Sequence, residues 1–247
     1  MIIDLEKCIG CHACAVACKA EWEVPADKGR NWVKRLGPTA TNEGLASTYY
    51  PGLCNHCDQP ACVAACPADR LEREFKDPRS GSSKVLEVAA TWKDPFDGTV
   101  QIDKERCLGC GACAEACPYQ ARYVNPDLGE DGKADKCTFC VERRAVGLEP
   151  ACVQTCLAGA RIFGDLHDPA SAVAKYVKQG AIRLESDAVK IGTNVRYHGK
   201  KRDLALLAAS CAPKSMPQAS LRRTMLARMV RPLIKMTQTE ALFDLLG

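Results

Sequence analysis

The sequence contains few aromatic residues, because phenylalanine, tryptophan and tyrosine together make up 6% of its 247 residues. This is a small supply of large side chains for a conventional hydrophobic core. The formal net charge is only +4, which is too small to indicate nucleic-acid binding. No apolar run reaches the roughly 18 residues that a membrane-spanning helix needs. We therefore expect a soluble or peripheral chain that only another polypeptide anchors in a membrane.

Cysteine is the residue that the sequence has in excess, with 17 copies. A disulfide scaffold is normally a shorter, secreted chain with an even number of cysteines. Here the number is odd, and no apolar segment typical of a signal peptide precedes the first cysteine. The sequence therefore argues against a disulfide framework and favours cysteines that bind a metal centre.

Sixteen cysteines form four groups of four, and Cys211 stands alone in the C-terminal region. The groups are Cys8, Cys11, Cys14 and Cys18; Cys54, Cys57, Cys62 and Cys66; Cys107, Cys110, Cys113 and Cys117; and Cys137, Cys140, Cys152 and Cys156. The first and third have the C-x2-C-x2-C-x3-C spacing of bacterial ferredoxins. In that spacing three thiolates hold one iron–sulfur cube, and the fourth cysteine ligates the other cluster of a pair. Cys18 is therefore predicted to serve a different cluster from its three neighbours.

Zinc is the alternative ligand for any C-x2-C pair. The second and fourth groups, taken alone, also fit zinc ribbons. The first and third groups place three cysteines within seven residues and a fourth four residues later, which suits a cube better than one tetrahedral ion. His12 and His56 lie within the motifs, but neither replaces a cysteine. We expect these two side chains to pack or to form hydrogen bonds.

The four groups, in this order, resemble the four-cluster iron–sulfur subunits of the molybdopterin oxidoreductase (dimethyl sulfoxide reductase) family. These are the electron-transfer subunits of dimethyl sulfoxide, polysulfide, thiosulfate and tetrathionate reductases. The resemblance covers residues 1 to about 170, and its most specific segments are LCNHCDQPACVAACP, CLGCGACAEACPYQARY and ADKCTFCVERRAVGLEPACVQTCLAGARIFGDLHDP. The last segment is most similar to the polysulfide and tetrathionate branch. Relatives with a three-iron cluster carry a tryptophan in place of one cysteine, so the resemblance implies four [4Fe–4S] clusters here.

The resemblance also implies that the groups pair outer with outer and inner with inner. Clusters 1 to 4 would be held by Cys8, Cys11, Cys14 and Cys156; by Cys137, Cys140, Cys152 and Cys18; by Cys54, Cys57, Cys62 and Cys117; and by Cys107, Cys110, Cys113 and Cys66. The implied fold class is α+β and loop-rich, with two interleaved ferredoxin-like modules that each hold two clusters. The outer module would span 1–48 and 126–170, and the inner module 49–125. Residues 171–247 would form a C-terminal helical extension that docks on a partner.

Local patterns add four structural expectations. Short strands are predicted at MIID and TVQID, each a few residues before a ferredoxin-type group, and this repetition is the internal repeat of the chain. The insert 72–98 is polar with a Gly/Ser turn, which favours a surface loop or a partner contact. A helix is predicted from the N-cap Asp168 to Gly180, followed by a short extended segment in IGTNVRYHGKK. The tail from residue 220 onwards is typical of a basic amphipathic helix.

The sequence shows no nucleophile–base pair, phosphate loop or open metal site, so we expect no catalysis by this chain alone. The resemblance implies a relay of single electrons. One partner would be a catalytic subunit with a molybdopterin guanine dinucleotide cofactor carrying molybdenum or tungsten. The other would be a membrane quinone-reactive subunit, serving as an anchor, or a soluble carrier. The chain would work at the periplasmic face of the membrane after export with its partner, or alternatively in the cytoplasm.

Two other functions stay open at this point. One is a polyferredoxin that serves a hydrogenase or a formate dehydrogenase, and the other is a zinc-binding interaction module. A further hypothesis concerns Lys7, Arg106 and Lys136, each of which directly precedes the first cysteine of a group. A cation at that position would favour the reduced cluster and raise its potential.

Overall fold

The computed structural model describes residues 1–42, 44–130 and 132–217. Its helices are α1 (Ala13–Trp22), α2 (Ala61–Ala64), α3 (Ala112–Glu115), α4 (Val141–Ala145), α5 (Ala151–Gln154), α6 (Ala174–Lys178) and α7 (Lys201–Cys211). Its strands are β1 (Ile2–Asp4), β2 (Asn31–Thr41), β3 (Gly44–Leu53), β4 (Leu71–Lys76), β5 (Ser83–Val88), β6 (Thr91–Lys93), β7 (Val100–Ile102), β8 (Tyr123–Asn125), β9 (Lys133–Asp135), β10 (Arg161–Ile162), β11 (Ile182–Arg183) and β12 (Arg196–His198). This mixture of short helices and small sheets is the α+β class that the sequence predicts.

The central sheet has the strand order β10-β1-β12-β11. Strand β1 pairs antiparallel with β10 and parallel with β12, so Ile2 lies between Ile162 and Arg196. Ile2, Ile3 and Tyr197 are buried in this sheet. The sheet therefore brings the start of the chain next to the segment that follows the last cysteine group. The strands predicted at MIID and TVQID are confirmed as β1 and β7.

Four two-stranded hairpins surround this sheet: β2-β3, β4-β5, β6-β7 and β8-β9. The hairpin β4-β5 falls in the predicted insert 72–98, and its turn contains Gly81 in a left-handed conformation. Phe75, Val88 and Trp92 form a small core beneath it. The insert is therefore mostly an ordered hairpin with its own apolar contacts rather than an irregular loop.

Cysteines take much of the place that aromatic side chains fill in other cores. The largest group of packed buried residues includes Cys14, Cys54, Cys57, Cys137 and Cys152 together with aliphatic and tyrosine side chains. Free cysteine is among the most buried residue types, but so many in one core indicate a reason other than packing.

No helix in the described part of the chain is long and apolar enough to cross a bilayer.

The region after residue 170 differs from the predicted helical extension. Helix α6 begins at Ala174 rather than beside Asp168, because the Asp168 carboxylate accepts a hydrogen bond from the Ala170 amide and closes a turn instead. The predicted end is correct, since Gly180 follows α6 with a φ of 83°. Two short strands, β11 and β12, then join the central sheet, so the region is only partly helical.

Helix α7 was not predicted as a separate element. It packs against β2 and β3, and its side chains Leu206 and Leu207 are buried. Cys211 lies at the end of α7, partly buried against the main core. The predicted extended segment in IGTNVRYHGKK is confirmed as β12. The predicted basic helix of the tail lies outside the described residues.

Asp135 connects distant parts of the chain. Its carboxylate accepts two hydrogen bonds from the Arg30 guanidinium, both at 2.9 Å, and further bonds from Lys104 Nζ at 2.7 Å and Tyr123 OH at 2.6 Å. Burial by itself raises the pKa of the Asp135 carboxyl, but its bonds to Arg30 and the nearby Lys104 charge hold that pKa below its usual value. This buried network fixes β9 to the start of β2.

We expect Asp135→Ala to lower the free energy of unfolding by about 3–5 kcal/mol, because it leaves the buried Arg30 guanidinium without its counter-charge. Thermal unfolding followed by circular dichroism measures the effect. Asp187→Ala is the matched control, since Asp187 also pairs with a lysine but is fully exposed. Equal melting temperatures for the two variants would contradict this role of Asp135.

Candidate metal centres

The four cysteine groups share one local structure. In each group the third cysteine is the second residue of a helix, directly after an alanine, and the fourth follows four residues later; the alanines are Ala13, Ala61, Ala112 and Ala151. The pattern A-C-x3-C therefore marks all four groups, including the two that depart from the ferredoxin spacing between their second and third cysteines. The small alanine lets the loop before the helix approach the thiols closely.

The loops before these helices depend on left-handed backbone conformations. The residue two positions after the first cysteine has a positive φ in every group: Gly10, His56, Gly109 and Phe139. At Gly10 an added Cβ would lie 2.2 Å from the Tyr49 ring, so only glycine fits there. His56 and Phe139 occupy equivalent positions and stack on each other, with ring centroids 3.8 Å apart.

Three cavities are each lined by four of the grouped cysteines. Set 1 is Cys8, Cys11, Cys14 and Cys156, set 2 is Cys18, Cys137, Cys140 and Cys152, and set 4 is Cys66, Cys107, Cys110 and Cys113. The three cavities hold about 380, 300 and 340 Å³ of empty space, part of it open to solvent. Set 3 is Cys54, Cys57, Cys62 and Cys117, whose thiols interact electrostatically with one another. Each set combines three cysteines of one group with the fourth cysteine of another.

Within the described part of the chain, the thiols of these sets do not form a site for a single metal ion. Zinc binds sulfur at about 2.3 Å, which requires its four ligands to converge on one point. Within residues 1–42, 44–130 and 132–217, no three His, Cys, Asp or Glu side chains converge in that way. The arrangement suits a group with several metal atoms, in which each cysteine reaches a different corner.

Backbone and indole N–H groups point at several of the sulfurs. The donor–acceptor pairs are Trp22 Nε1 to Cys140 at 3.3 Å, Ala121 N to Cys117 at 3.5 Å, Ala134 N to Cys107 at 3.3 Å, Phe139 N to Cys137 at 3.4 Å and Ala160 N to Cys156 at 3.2 Å. Hydrogen bonds to sulfur stabilise negative charge on it and raise the potential of a cluster that it ligates.

Burial raises the pKa of several of these thiols. Burial raises the pKa of Cys18 to about 12 and that of Cys62 to about 11, with nearby thiols adding to the effect. At neutral pH these groups are neutral unless a metal displaces the proton, so binding of a metal group releases protons here. Cys211 belongs to none of the four sets, and burial raises the pKa of its thiol as well.

Each of the three cavities also contains an arginine with an unpaired nitrogen. Arg161 lines the cavity of set 1, Arg30 that of set 2 and Arg122 that of set 4. Arg161 Nη2, Arg30 Nη1 and Arg122 Nη1 are buried and have no hydrogen-bond partner among the described residues. A buried donor without an acceptor is costly. An anionic iron–sulfur group in each cavity would supply that acceptor, so these residues fit such a group.

The three cations that precede a cysteine group differ in their surroundings. Lys136 is fully buried, and its Nζ donates to the carbonyls of Val100 and Cys137. The Lys7 side chain is 48% exposed, and Arg106 donates to two backbone carbonyls away from the thiols. Their common position in the sequence therefore does not give them a common environment.

Sequence reasoning missed Arg122 and Arg161. Both lie five residues after the last cysteine of a group, in the segments CPYQAR and CLAGAR. This repeated pattern, C-x4-R, could have identified them from the sequence. The expectation for His56 is confirmed, because its Nδ1 accepts a hydrogen bond from the Val100 amide at 2.9 Å. His12 is exposed at the start of α1, and its side chain makes no capping bond there.

Comparisons with known proteins indicate 4Fe-4S binding in the region of the cysteine groups. A family model described as a 4Fe-4S dicluster domain matches residues 45–166, and one described as a 4Fe-4S binding domain matches residues 1–20. Together these segments contain all sixteen grouped cysteines. The longer match contains the twelve cysteines of the last three groups, and the shorter match contains the four cysteines of the first group.

Three curated relatives are similar over most of the sequence. A subunit of the tetrathionate reductase of Salmonella typhimurium is 41% identical over 194 residues, which are 77% of this chain and 65% of the relative. The thiosulfate reductase electron transfer subunit of Salmonella typhi is 35% identical, covering 76% of this chain and 85% of the relative. A polypeptide of the polysulfide reductase of Wolinella succinogenes is 38% identical, covering 72% and 81%. The protein therefore belongs to the family of iron–sulfur electron-transfer subunits of tetrathionate, thiosulfate and polysulfide reductases.

Proposed function

We propose that this chain holds four [4Fe–4S] clusters, one on each of sets 1 to 4, and relays single electrons between two partners. The observation that carries the proposal is the grouping of the thiols, since each set joins three cysteines of one group to the fourth of another, as paired ferredoxin clusters require. When bound, the clusters supply one-electron redox chemistry. The chain's own side chains bind them, limit their contact with water and fix their order.

Contacts between the sets support a linear order from 1 to 4. Cys152 of set 2 interacts electrostatically with Cys14 of set 1, and Cys137 of set 2 interacts with Cys54 of set 3. Cys62 of set 3 and Cys113 of set 4 belong to the same small core. Each set therefore has its sequential neighbour beside it, which is the arrangement that short electron-transfer steps need.

The proposed domain division follows from the same connections. Residues 1–48 and 126–170 would form the outer module with clusters 1 and 2, and residues 49–125 the inner module with clusters 3 and 4. The pairing of β1 with β10 supports an outer module built from both ends of the cysteine region. The remaining residues would serve partner docking, and those of β11 and β12 would also complete the central sheet.

Set 1 lies at the end of the series where a partner can reach it. Cys11 is exposed, and the neighbouring Ile9 and Leu157 are 61% and 87% exposed, which is unusual for large apolar side chains. The relatives are named as parts of reductases. We therefore assign this chain a catalytic partner that carries a molybdopterin guanine dinucleotide with molybdenum or tungsten. A quinone-reactive membrane subunit or soluble carrier would be the other partner, at the periplasmic face.

Cys156→Ser tests the binding of the clusters. We expect anaerobically isolated protein to contain about 16 irons, and this variant to contain about three or four fewer, because set 1 loses a ligand. Iron analysis and electron paramagnetic resonance after dithionite reduction measure the difference. Cys211→Ser is the matched control and keeps the full iron content. A colourless, zinc-containing protein, or equal loss in both variants, would contradict the proposal.

Leu157→Asp tests the docking of a partner beside set 1. A buried, unpaired carboxylate at an apolar contact weakens association, so we expect less partner subunit to co-purify while the iron content stays the same. Leu45→Asp is the control, because Leu45 is 68% exposed on β3, outside the insert 72–98, and does not line the cavity of set 1. The identity of the co-purified partner separates the reductase assignment from a polyferredoxin, which would bring a hydrogenase or formate dehydrogenase instead.

A further inference from the structure

Three basic side chains are buried without a carboxylate partner. Arg161, Lys136 and Arg122 are 4%, 0% and 5% exposed. Among the described residues none of them is within ion-pair distance of an acidic group. Arg30, by contrast, is also buried but is neutralised by Asp135. Burying a charge is costly unless an opposite charge lies close by, so the three cations require an anion that the side chains do not provide.

Arg161 lies between sets 1 and 2. It lines the cavity of set 1, and its Nη1 is 3.9 Å from the Cys152 sulfur of set 2. Its guanidinium is therefore adjacent to cysteines of both sets. Its Nη2 is the buried nitrogen that has no partner among the described residues.

Lys136 lies between sets 2 and 3. Its Nζ donates at 2.7 Å to the carbonyl of Cys137, a residue of set 2, and also to the carbonyl of Val100. On the other side it interacts electrostatically with Cys54 and Cys62 of set 3. Val100 belongs to the same small core as Cys62 of set 3, so the Lys136 ammonium group lies beside both sets.

Arg122 lies between sets 3 and 4. It lines the cavity of set 4, and its Nη2 donates to Thr91 Oγ1 at 3.0 Å. It interacts electrostatically with Cys62 and Cys54 of set 3 and with Cys113 of set 4. Its Nη1 is buried without a partner among the described residues. The three junctions in the series of four sets therefore each contain one buried cation.

We infer that Arg161, Lys136 and Arg122 set the reduction potentials of the clusters in adjacent pairs, each cation acting on the cluster at either side of it. This inference rests on the proposed function. Reduction adds one negative charge to a cluster, and a fixed positive charge in a low-dielectric interior favours that state. A cation between two clusters also reduces the repulsion between them when both are reduced. It therefore keeps neighbouring potentials high together.

The test substitutes glutamine at each position in the full chain, isolated anaerobically with the subunits that accompany it. Redox titrations followed by electron paramagnetic resonance give the midpoint potentials. We expect each of Arg161→Gln, Lys136→Gln and Arg122→Gln to disfavour reduction of two clusters by about tenfold, which is about 59 mV for a one-electron couple. Lys136→Gln should share one shifted cluster with each of the other variants. Arg161→Gln and Arg122→Gln should share none.

Charge-retaining variants and a matched control separate charge from packing. Arg161→Lys, Lys136→Arg and Arg122→Lys are expected to keep potentials close to those of the original protein. Lys7→Gln is the control for Lys136→Gln, because Lys7 holds the same position before its cysteine group but is half exposed. Iron content is measured first for each variant. Where the glutamine variant has a lower iron content, the methionine variant at the same position is used for the redox titration instead.

The possible outcomes distinguish failure of this inference from failure of the proposed function on which it rests. The inference would be overturned if four clusters are present and their potentials do not change in the glutamine variants, or shift equally in all variants. The proposed electron relay would remain intact in that case. Shifts of the same size in the charge-retaining variants would also overturn it, because packing would then be the cause. An original protein without iron–sulfur clusters would overturn both. Shifts confined to adjacent pairs, and absent in Lys7→Gln, would establish it.

Discussion

The structure depends on holding negative charge at buried sulfur. Most of the sixteen grouped cysteines are buried or nearly so, and burial raises the pKa of thiols such as Cys18 and Cys62. A buried thiolate is stable only where a metal or a positive group compensates its charge. The N–H donors that point at sulfur, the three junction cations and the shape of the cluster loops all serve this requirement. It also explains how a protein with few aromatic residues forms a core, because the clusters would fill the space between the thiols.

The central sheet is what allows distant cysteines to meet. Cys156 is far from Cys8 in sequence, but β10 begins five residues after Cys156 and pairs with β1, which ends four residues before Cys8. The pairing of the buried Ile2 with the partly buried Ile162 therefore positions set 1. Strand β12 completes the same sheet from the region after residue 170. The C-terminal region thus helps to fix the first cysteine group, in addition to any contact that it makes with a partner.

Predictions from the sequence were good where chemistry fixes spacing and weaker where tertiary packing decides. Most neighbouring cysteines within a group recur at short intervals such as C-x2-C and C-x3-C, so the cysteine groups and the strands before two of them were visible in the sequence. The start of α6 was misplaced because Asp168 has two local uses, as a helix cap or in a turn, and only the surrounding structure selects one. Of the junction cations, Lys136 was singled out from its place before a cysteine group, whereas Arg122 and Arg161 were missed for a similar reason. The pattern C-x4-R marks Arg122 and Arg161, but burial between two thiol sets is a property of the fold.

The unpaired cations and the protonated thiols have one physical cause. The protein buries Arg161, Lys136 and Arg122 with no carboxylate of the described residues beside them, which leaves their positive charge to be compensated by another group. When clusters bind, thiols become thiolates and the same cations acquire counter-charges, so cluster binding and folding stabilise each other. Arg30 shows the alternative, since its partner Asp135 compensates it in either condition. Arg30, which also lines the cavity of set 2, has a carboxylate partner, whereas Arg161, Lys136 and Arg122 have none among the described residues. In the proposed cluster-bound protein a carboxylate beside these three cations would cancel their effect on the potentials of the clusters.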